Sequence, residues 1–235
     1  MVANLNLTRN VTHNSAAYQS ARRNLQSGHY NGAYYYSQEI VRNIIPNVKT
    51  DRPWVTINVP PHGCRDHAIV FIHSNVNIDA NYRWLKRFKD LVLVCSNKET
   101  LKACRAYGKV LYLPLSVDVE YVKGFRTEKT KDACYVGNVW QFKEKYLRKY
   151  VPAGVPRLTK MPRHKLLTEM AKYSHVYAIG RCAIEAKILG CEVEVCDDRY
   201  PNPSVWEILD NKEAAKMLQE ELDKIDGGRD DDKKS

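Results

Sequence analysis

The chain has 235 residues, 44% of them hydrophobic, which is the composition of a protein that buries a core of ordinary size. No apolar run approaches the roughly 20 residues that cross a bilayer, and the amino terminus lacks a secretory pattern, so the sequence predicts a cytoplasmic protein without a membrane span. The seven cysteines are scattered and odd in number, and none forms a Cys-x-x-Cys pair. This favours reduced core thiols over a disulfide framework or a zinc site.

The net charge of +10 favours polyanionic partners such as nucleic acid, nucleotides or anionic membrane surfaces. The excess is concentrated in the first half: residues 1–120 contain 15 Lys/Arg and 8 Asp/Glu, whereas the remainder contains 22 and 19. A basic surface that serves only solubility is the alternative interpretation.

Short apolar runs alternate with helical patterns along the whole chain, which predicts a parallel α/β fold whose strands are covered by helices. In the front half, the expected strands are Trp54–Val59, Ala68–His73, Leu91–Cys95 and Val110–Pro114. The expected helices are Ser15–Ser27, part of Tyr34–Ile45, Ala80–Lys89 and Lys98–Tyr107, the last capped by Gly108.

After a charged segment over Lys123–Lys131, the same alternation starts again. The expected elements are a strand Ala133–Val136, a basic helix Phe142–Tyr150, a helix Pro162–Tyr173, a strand Glu192–Cys196 and closing helices within Ser204–Ile225. We therefore predict one Rossmann-like domain over residues 1–120, a second over 121–226 and a disordered tail over 227–235. The two domains are expected to face each other across a cleft that holds the ligands.

The most informative segment, Val176–Val195, reads as a strand, a glycine, a short helix, a second glycine and another strand. Gly180 permits a sharp turn, after which the backbone N–H groups of Arg181 and Cys182 at the open helix end attract phosphate. Glu185 lies about one turn into the helix, where it could accept hydrogen bonds from a ribose, and Arg181 could neutralise a diphosphate. The alternative is an ordinary α/β unit with Glu185 exposed on a helix.

Three segments resemble elements of the GT-B glycosyltransferases, in the same order. Ile184–Val193 is similar to their nucleotide-binding element E-A-x-x-x-G-x-x-V. Leu113–Asp118 is similar to the P-N-G-V-D connector between their two domains, and Tyr135–Gly137 with the later Lys143 resembles the element V-G-R-x-x-x-x-K. Their order and spacing over residues 91–196 carry the resemblance.

The resemblance implies a two-domain GT-B fold and a nucleotide sugar, expected to be a UDP-sugar, as co-substrate, with basic residues and helix dipoles in place of a metal. It implies that Glu185 binds the ribose and that the other donor-binding residues are Gly137, Asn138, Lys143, Gly180, Arg181 and Cys182. Asn138 departs from the family, which has an arginine there; Arg181 is a candidate for the missing charge. Tyr177 replaces a glutamate of many retaining members, which leaves the stereochemical outcome open.

Two residues are candidates for catalysis. His73 ends an apolar strand, where a parallel sheet delivers side chains to ligands, so it could act as a base on an acceptor hydroxyl or merely satisfy the strand terminus. Asp118 could also face the ligands, although closing the connector turn is its alternative role. His62 and His67 flank a polar loop with the composition of a site, but metal binding is not expected there.

The basic front half interleaves aromatic and cationic residues, which together provide stacking surfaces and phosphate contacts. A nucleic-acid acceptor would need such contacts, although tyrosine clusters also occur in sugar-binding clefts and some of these rings belong in a core. The predicted acceptor-binding residues are Arg22, Arg23, Tyr34, Tyr82 and Arg83.

From these observations we expect a glycosyltransferase, a hexosyl- or pentosyltransferase, that moves a sugar from a nucleotide-sugar donor to a hydroxyl acceptor. A modified base in DNA is the leading acceptor, and a glycan or a protein is the rival. The alternative is a non-catalytic GT-B-like module that binds a nucleotide or nucleic acid.

Overall fold

The computed structural model describes residues 11–12, 32–57, 64–72, 83–137, 149–195 and 207–231, and in residues 11–12, 32–34 and 228–231 the backbone alone. The chain is α/β, and within the described residues it forms six α-helices and two larger sheets of parallel strands. The predicted fold class is confirmed at this level, since the sheets and helices are compatible with Rossmann-like units. Two compact units are present: Met1–Ser20, Tyr36–Ser116 and Leu209–Ser235 form the first, and Ala21–Tyr35 and Val117–Ile208 the second.

The first unit contains a five-stranded parallel sheet in which the strands follow one another in sequence order. Its strands are β1 (Val11–Thr12), β2 (Trp54–Ile57), β3 (Ala68–Ile72), β4 (Val92–Cys95) and β5 (Lys109–Tyr112). Strands β3 and β4 are apolar and buried over their whole length, as expected of parallel strands that are covered on both faces.

Alternate residues of these strands pack into two separate cores. Ile69, Phe71, Val92 and Val94 lie on one face, against the helical segment around Ile40 and the C-terminal helix α6 (Asn211–Asp231). The neighbouring residues of the same strands lie on the other face, against a 3-10 turn (Arg83–Arg87) and helix α2 (Lys98–Cys104). This alternation follows from the two-residue period of a strand.

The second unit contains a four-stranded parallel sheet with the order β10-β9-β7-β8. These strands are β7 (Lys131–Val136), β8 (Arg157–Leu158), β9 (Tyr173–Ala178) and β10 (Glu192–Val195). Helix α3 (Val119–Lys123) precedes β7, α4 (Arg163–Met170) follows β8 and α5 (Gly180–Ile188) follows β9. The short strands β6 (Ser116–Val117) and β11 (Leu209–Asp210) complete the described strands.

Several helices differ from the predictions in type or extent. The helix α1 (Gly32–Glu39) continues as a π-helical turn over Ile40–Ile44 and a 3-10 turn over Ile45–Asn47, where Pro46 offers no N–H. The segment predicted as a helix over Ala80–Lys89 is a 3-10 turn in its described part, which buries the adjacent Trp84 and Leu85.

Helix α2 ends at Cys104, and the prediction of Gly108 as its cap is wrong. A Cβ at Gly108 would lie 3.0 Å from the Leu91 carbonyl oxygen, so this glycine serves a close backbone approach instead. Residues 15–27 and 142–148, where two further helices are predicted, lie outside the described residues.

The end of the chain also differs from the prediction. A single helix α6 extends to Asp231, beyond residue 227 where a disordered tail is predicted. Its buried residues Ala214, Leu218 and Leu222 belong to the core of the first unit, whereas the sequence analysis assigns this segment to the second domain. The spacing of four residues between these side chains explains the packing, because it places them on one helix face.

Six described cysteines are free and buried, which confirms the prediction of reduced core thiols for Cys64, Cys95, Cys104, Cys134, Cys182 and Cys191. Cys196 lies outside the described residues. Among the helices that are described, none has both the length and the apolar character needed to cross a bilayer.

Candidate functional site: a buried arginine–glutamate cluster

The candidate site lies at the carboxyl edge of the second unit's sheet. The chain leaves β7 toward β8 on one side, and leaves β9 toward β10 on the other, so the direction of winding changes between the neighbours β7 and β9. Ligands of open parallel sheets bind outside the carboxyl ends of the strands at such a point. Gly137 follows β7 directly, and Gly180 begins helix α5 two residues after β9.

Gly137 and Gly180 meet different requirements. Gly180 has φ of 55°, the left-handed region that glycine adopts without strain, and this turns the chain from strand into helix. A Cβ at Gly137 would lie 2.6 Å from the Tyr135 hydroxyl, so a side chain there would collide with a buried ring. At the carboxyl edge, Gly180 thus serves a turn and Gly137 a close approach to a buried ring.

Glu185 lies in the second turn of α5 and is completely buried. Its Oε1 accepts hydrogen bonds from Arg163 Nε at 3.1 Å and from Arg181 Nε at 3.0 Å. Arg163 Nη2 lies 2.9 Å from the same oxygen. The two sequence interpretations, a glutamate that binds ribose and a glutamate exposed on a helix, both require an accessible side chain. The structure instead shows Glu185 buried inside the unit, where it pairs with two guanidinium groups.

Two tyrosine rings lie against the Arg163 guanidinium. Its central carbon is 4.9 Å from the centre of the Tyr121 ring and 5.1 Å from that of the Tyr35 ring. The Tyr121 side chain is one of the exposed large hydrophobic groups, with 42% of its surface accessible. Arginine stacks on aromatic faces, so these contacts restrict the orientation of the guanidinium.

The amino ends of α4 and α5, which carry this cluster, differ from those of α2, α3 and α6. Asn97 and Asp118 cap α2 and α3 with their side chains, and Asp210 accepts a hydrogen bond from Lys212 N at the start of α6. In contrast, α4 and α5 have no side-chain cap and no acidic residue in the first turn; each carries an arginine there instead. A cation at this end of a helix opposes the macrodipole, so it is retained at a cost in stability.

Of the remaining residues predicted to bind the donor, one is described and two are not. Cys182 is buried in the first turn of α5. Asn138 and Lys143 lie outside the described residues. Tyr177, which stands where many family members carry a glutamate, is half-buried on β9; burial and then the Glu194 carboxylate raise the pKa of its phenol. The phenol therefore stays protonated at neutral pH and does not replace a carboxylate.

Of the two predicted catalytic residues, Asp118 is described. Its Oδ1 accepts a hydrogen bond from Tyr121 N at 2.9 Å, and its carbonyl oxygen accepts one from Val122 N at 3.1 Å. Asp118 thus caps α3, whereas the structural role that the sequence suggests for it is to close the connector turn. His73 lies outside the described residues.

Of the predicted acceptor-binding residues, Arg22, Arg23 and Tyr82 lie outside the described residues, and Tyr34 is described by its backbone alone. Arg83 is exposed at the start of the 3-10 turn, next to the buried Trp84. Lys86, Arg87 and Lys89 are exposed nearby, so this surface of the first unit is basic.

A second arginine cluster lies at the amino edge of the first unit's sheet. Arg52 is completely buried; its Nη1 donates to the Asp90 carbonyl oxygen at 2.7 Å and its Nη2 to Asp226 Oδ1 at 2.8 Å. His67 Nδ1 pairs with Asp90 Oδ2, and its Nε2 lies 3.5 Å from Asp51. The polar loop that the sequence analysis marks as a possible site thus contributes His67 to a structural cluster, whereas His62 lies outside the described residues.

Arg163 is the residue that the sequence analysis misses. Pro162-Arg163-His164-Lys165 reads as a basic, solvent-exposed start of a helix. One signal was available, because the first turn of a stable helix normally favours acidic residues, whereas this one carries Arg163 and Lys165 and no acidic residue. The four-residue spacing of Arg181 and Glu185 likewise indicates a helical ion pair.

Comparison of the chain with models of known protein families, with curated proteins and with solved structures finds no match. Within the described segments, no group of three or more His, Cys, Asp or Glu side chains is arranged to hold a metal ion. What the site can do chemically therefore has to be inferred from its own residues.

Proposed function

We propose that the chain is a glycosyltransferase that moves a sugar from a nucleotide sugar, a UDP-sugar, to a hydroxyl acceptor. In this proposal the second Rossmann-like unit binds the donor and the first unit binds the acceptor. The main support is the position of the Arg163–Glu185–Arg181 cluster beside the carboxyl ends of β7 and β9. Guanidinium groups match phosphate oxygens in geometry and charge, and this edge is where parallel sheets bind nucleotides.

In the proposed reaction, the bond between the anomeric carbon of the sugar and the β-phosphate oxygen breaks, and the anomeric carbon bonds to the acceptor oxygen. The acceptor hydroxyl gives its proton to a base, for which His73 is the candidate from the sequence, and the nucleoside diphosphate leaves with the electron pair of the broken bond. Negative charge therefore develops on the diphosphate in the transition state. Fixed cationic groups near that position would stabilise it without reorganisation.

Donor turnover tests this proposal. The protein is incubated with a panel of UDP-, ADP-, GDP- and CDP-sugars, and release of the nucleoside diphosphate is measured alongside the shift in Tm. We expect one donor class to raise the Tm and to be hydrolysed slowly without an acceptor, and faster with a suitable hydroxyl compound. Absence of binding and of release for every donor would refute the proposal.

A non-catalytic nucleotide-binding module is the second candidate. Two observations favour it: Asp118 uses its carboxylate to cap a helix, and Tyr177 stands in place of a family glutamate. The same donor panel separates the two functions, because a module would be stabilised by a nucleotide and would release no sugar from any donor with any acceptor.

We propose DNA with a modified base as the acceptor, and a glycan or a protein as the rival. The exposed Arg83, Lys86 and Arg87 of the first unit support a polyanionic acceptor. DNA binding should then weaken steeply as salt rises, since each neutralised phosphate releases counterions. Binding of DNA that does not change with salt concentration would contradict this part of the proposal.

A further inference from the structure

The three side chains of the Arg163–Glu185–Arg181 cluster differ in how deeply they are buried. The Glu185 side chain has no accessible surface, the Arg181 side chain has 3% and the Arg163 side chain has 11%. A ligand that approaches the cluster therefore meets Arg163 before it can meet the other two residues. This order differs from the sequence expectation, in which Glu185 and Arg181 contact the ligand themselves.

Glu185 fixes Arg163 through one edge of the guanidinium. Nε donates a hydrogen bond to Glu185 Oε1 at 3.1 Å, and Nη2 lies 2.9 Å from the same oxygen as the cationic side of an ion pair. The rings of Tyr121 and Tyr35 lie within 5.1 Å of the guanidinium carbon. The contacts on its edge and on its faces together restrict the orientation of the guanidinium.

The site also suits a particular ligand chemistry. Arg163 begins α4 and Arg181 lies in the first turn of α5, so two guanidinium groups converge on one carboxylate oxygen at the carboxyl edge of the sheet. A planar guanidinium recognises two oxygens of a phosphate at once, which a hydroxyl group of a sugar cannot offer.

We infer that Arg163 is the residue through which the second unit contacts the phosphates of a diphosphate, and that Glu185 is a positioning residue that acts through Arg163. This inference rests on the proposed function, which it deepens by assigning the phosphate contact to a residue outside the family motifs. Arg181 supports Glu185 from the interior side. The ligand class is a pyrophosphate group, with a nucleoside attached in the donor.

Calorimetric titration of the full chain tests the assignment, with inorganic pyrophosphate, UDP and uridine as separate probes. Arg163→Gln should weaken pyrophosphate and UDP binding by about 10- to 100-fold, because charge-assisted hydrogen bonds are lost. Arg163→Lys, which keeps the charge and loses the planar fork, should weaken them by about 3- to 10-fold. Lys165→Gln is the matched control, since it removes one charge from the exposed face of the same helix and should leave both affinities unchanged.

The positioning role of Glu185 is tested by a double-mutant cycle. Glu185→Gln should weaken pyrophosphate binding in the wild-type background and have little further effect in the Arg163→Lys background. Equal losses in both backgrounds would indicate a general structural role and overturn the positioning assignment. Thermal unfolding of each variant identifies any that fails to fold, and Arg163→Lys then carries the test.

The outcomes for the two proposals are distinguishable. Wild-type binding of UDP with unchanged affinity in both Arg163 variants would overturn the assignment of Arg163 and leave the proposed donor class intact. Binding of pyrophosphate that depends on Arg163, without binding of any nucleoside diphosphate, would support the phosphate contact and refute the nucleotide-sugar donor. Binding of neither pyrophosphate nor any nucleoside diphosphate would refute both proposals.

Discussion

The described residues include two clusters built on buried arginine and acidic side chains, one at the amino edge of a parallel sheet and one at the carboxyl edge of another. At the amino edge of the first unit, Arg52 joins Asp90 and Asp226; at the carboxyl edge of the second, Glu185 joins Arg163 and Arg181. In the first cluster the arginine is innermost and the two carboxylates are about one-third exposed. In the second, the carboxylate is innermost and an arginine reaches the surface.

This difference separates a structural cluster from a candidate ligand site. Arg52 binds the chain's own acceptors, and Asp226 thereby ties the end of α6 to the loop before β4. Arg163 instead lies at the edge where parallel sheets bind ligands, and its anchor is on the interior side. The composition of the two clusters is similar, so position in the sheet and order of burial decide which one a ligand can use.

Replacement of Arg52 should have the largest effect on stability. Arg52→Met removes the guanidinium that pairs with Asp90 and Asp226 and should lower the free energy of unfolding by about 3 kcal/mol. Affinity for UDP, corrected for the folded fraction, should not change. Urea unfolding and calorimetry measure both quantities, with Arg105→Met, a change of an exposed arginine in the same unit, as control. A stable Arg52→Met variant that no longer binds UDP would reverse the assignment of the two clusters.

Glu185→Gln should affect stability and binding together. The buried carboxylate is replaced by an amide that keeps one oxygen but loses the charge, so we expect a loss of about 2 kcal/mol in unfolding free energy. Affinity for UDP should fall as well, in contrast to Arg52→Met. Unchanged UDP affinity in a destabilised variant would make this cluster structural like the first.

The difference between the clusters is partly foreseeable from the sequence. The apolar runs at Ala68–Ile72 and Val92–Cys95 identify buried parallel strands, and Gly180 with Glu185 identifies the strand–helix unit of the site. Pairing depends on residues distant in sequence, however: Arg163 is 22 residues from Glu185, and Arg52 is 174 residues from Asp226. Local patterns carry no information on such contacts.

Two other features could not be foreseen for physical reasons. Strand β8 has two residues, Arg157–Leu158, too few to show a period. The apolar face of α6 predicts burial without indicating which unit covers it, so the sequence does not specify that Leu218 packs in the first unit. The hydrophobic pattern of a helix shows which face is buried but does not show which element packs against that face.

Gly137→Ala tests the carboxyl edge with a smaller expected effect. The added Cβ would lie 2.6 Å from the Tyr135 hydroxyl and 3.1 Å from the ring carbon that bears it. We expect a loss of about 1 kcal/mol from overpacking and a several-fold decrease in UDP affinity, as the backbone beside β7 shifts. Adding Tyr135→Phe to the Gly137→Ala variant removes the hydroxyl and should restore most of the stability and most of the UDP affinity. Urea unfolding measures the first quantity and calorimetry the second. Failure of this rescue would exclude the collision as the cause.

Asp226→Asn should give the smallest effect, and one that depends on pH. Burial raises the pKa of Asp226, and the nearby Arg52 opposes this rise. At a pH between the ordinary carboxyl pKa and the raised pKa, Asp226 is therefore protonated in the folded protein and ionised in the unfolded chain. The stability that this carboxyl group contributes is therefore present below that window and is lost as pH rises through it. Urea unfolding measures the free energy of unfolding of wild type minus that of Asp226→Asn. From about pH 4 to about pH 7 this difference should decrease, by less than about 1 kcal/mol. An increase with pH would contradict the raised pKa.

The comparison of the two clusters is tested most directly by NMR of the arginine side chains. In protein labelled with ¹⁵N, the Nε–H resonances of Arg52, Arg163 and Arg181 are assigned by substitution and followed during titration with UDP. The carboxyl-edge assignment predicts a saturable shift of the Arg163 resonance, a smaller shift of the Arg181 resonance and an unchanged Arg52 resonance. A shift of Arg52 with Arg163 unchanged would contradict the account.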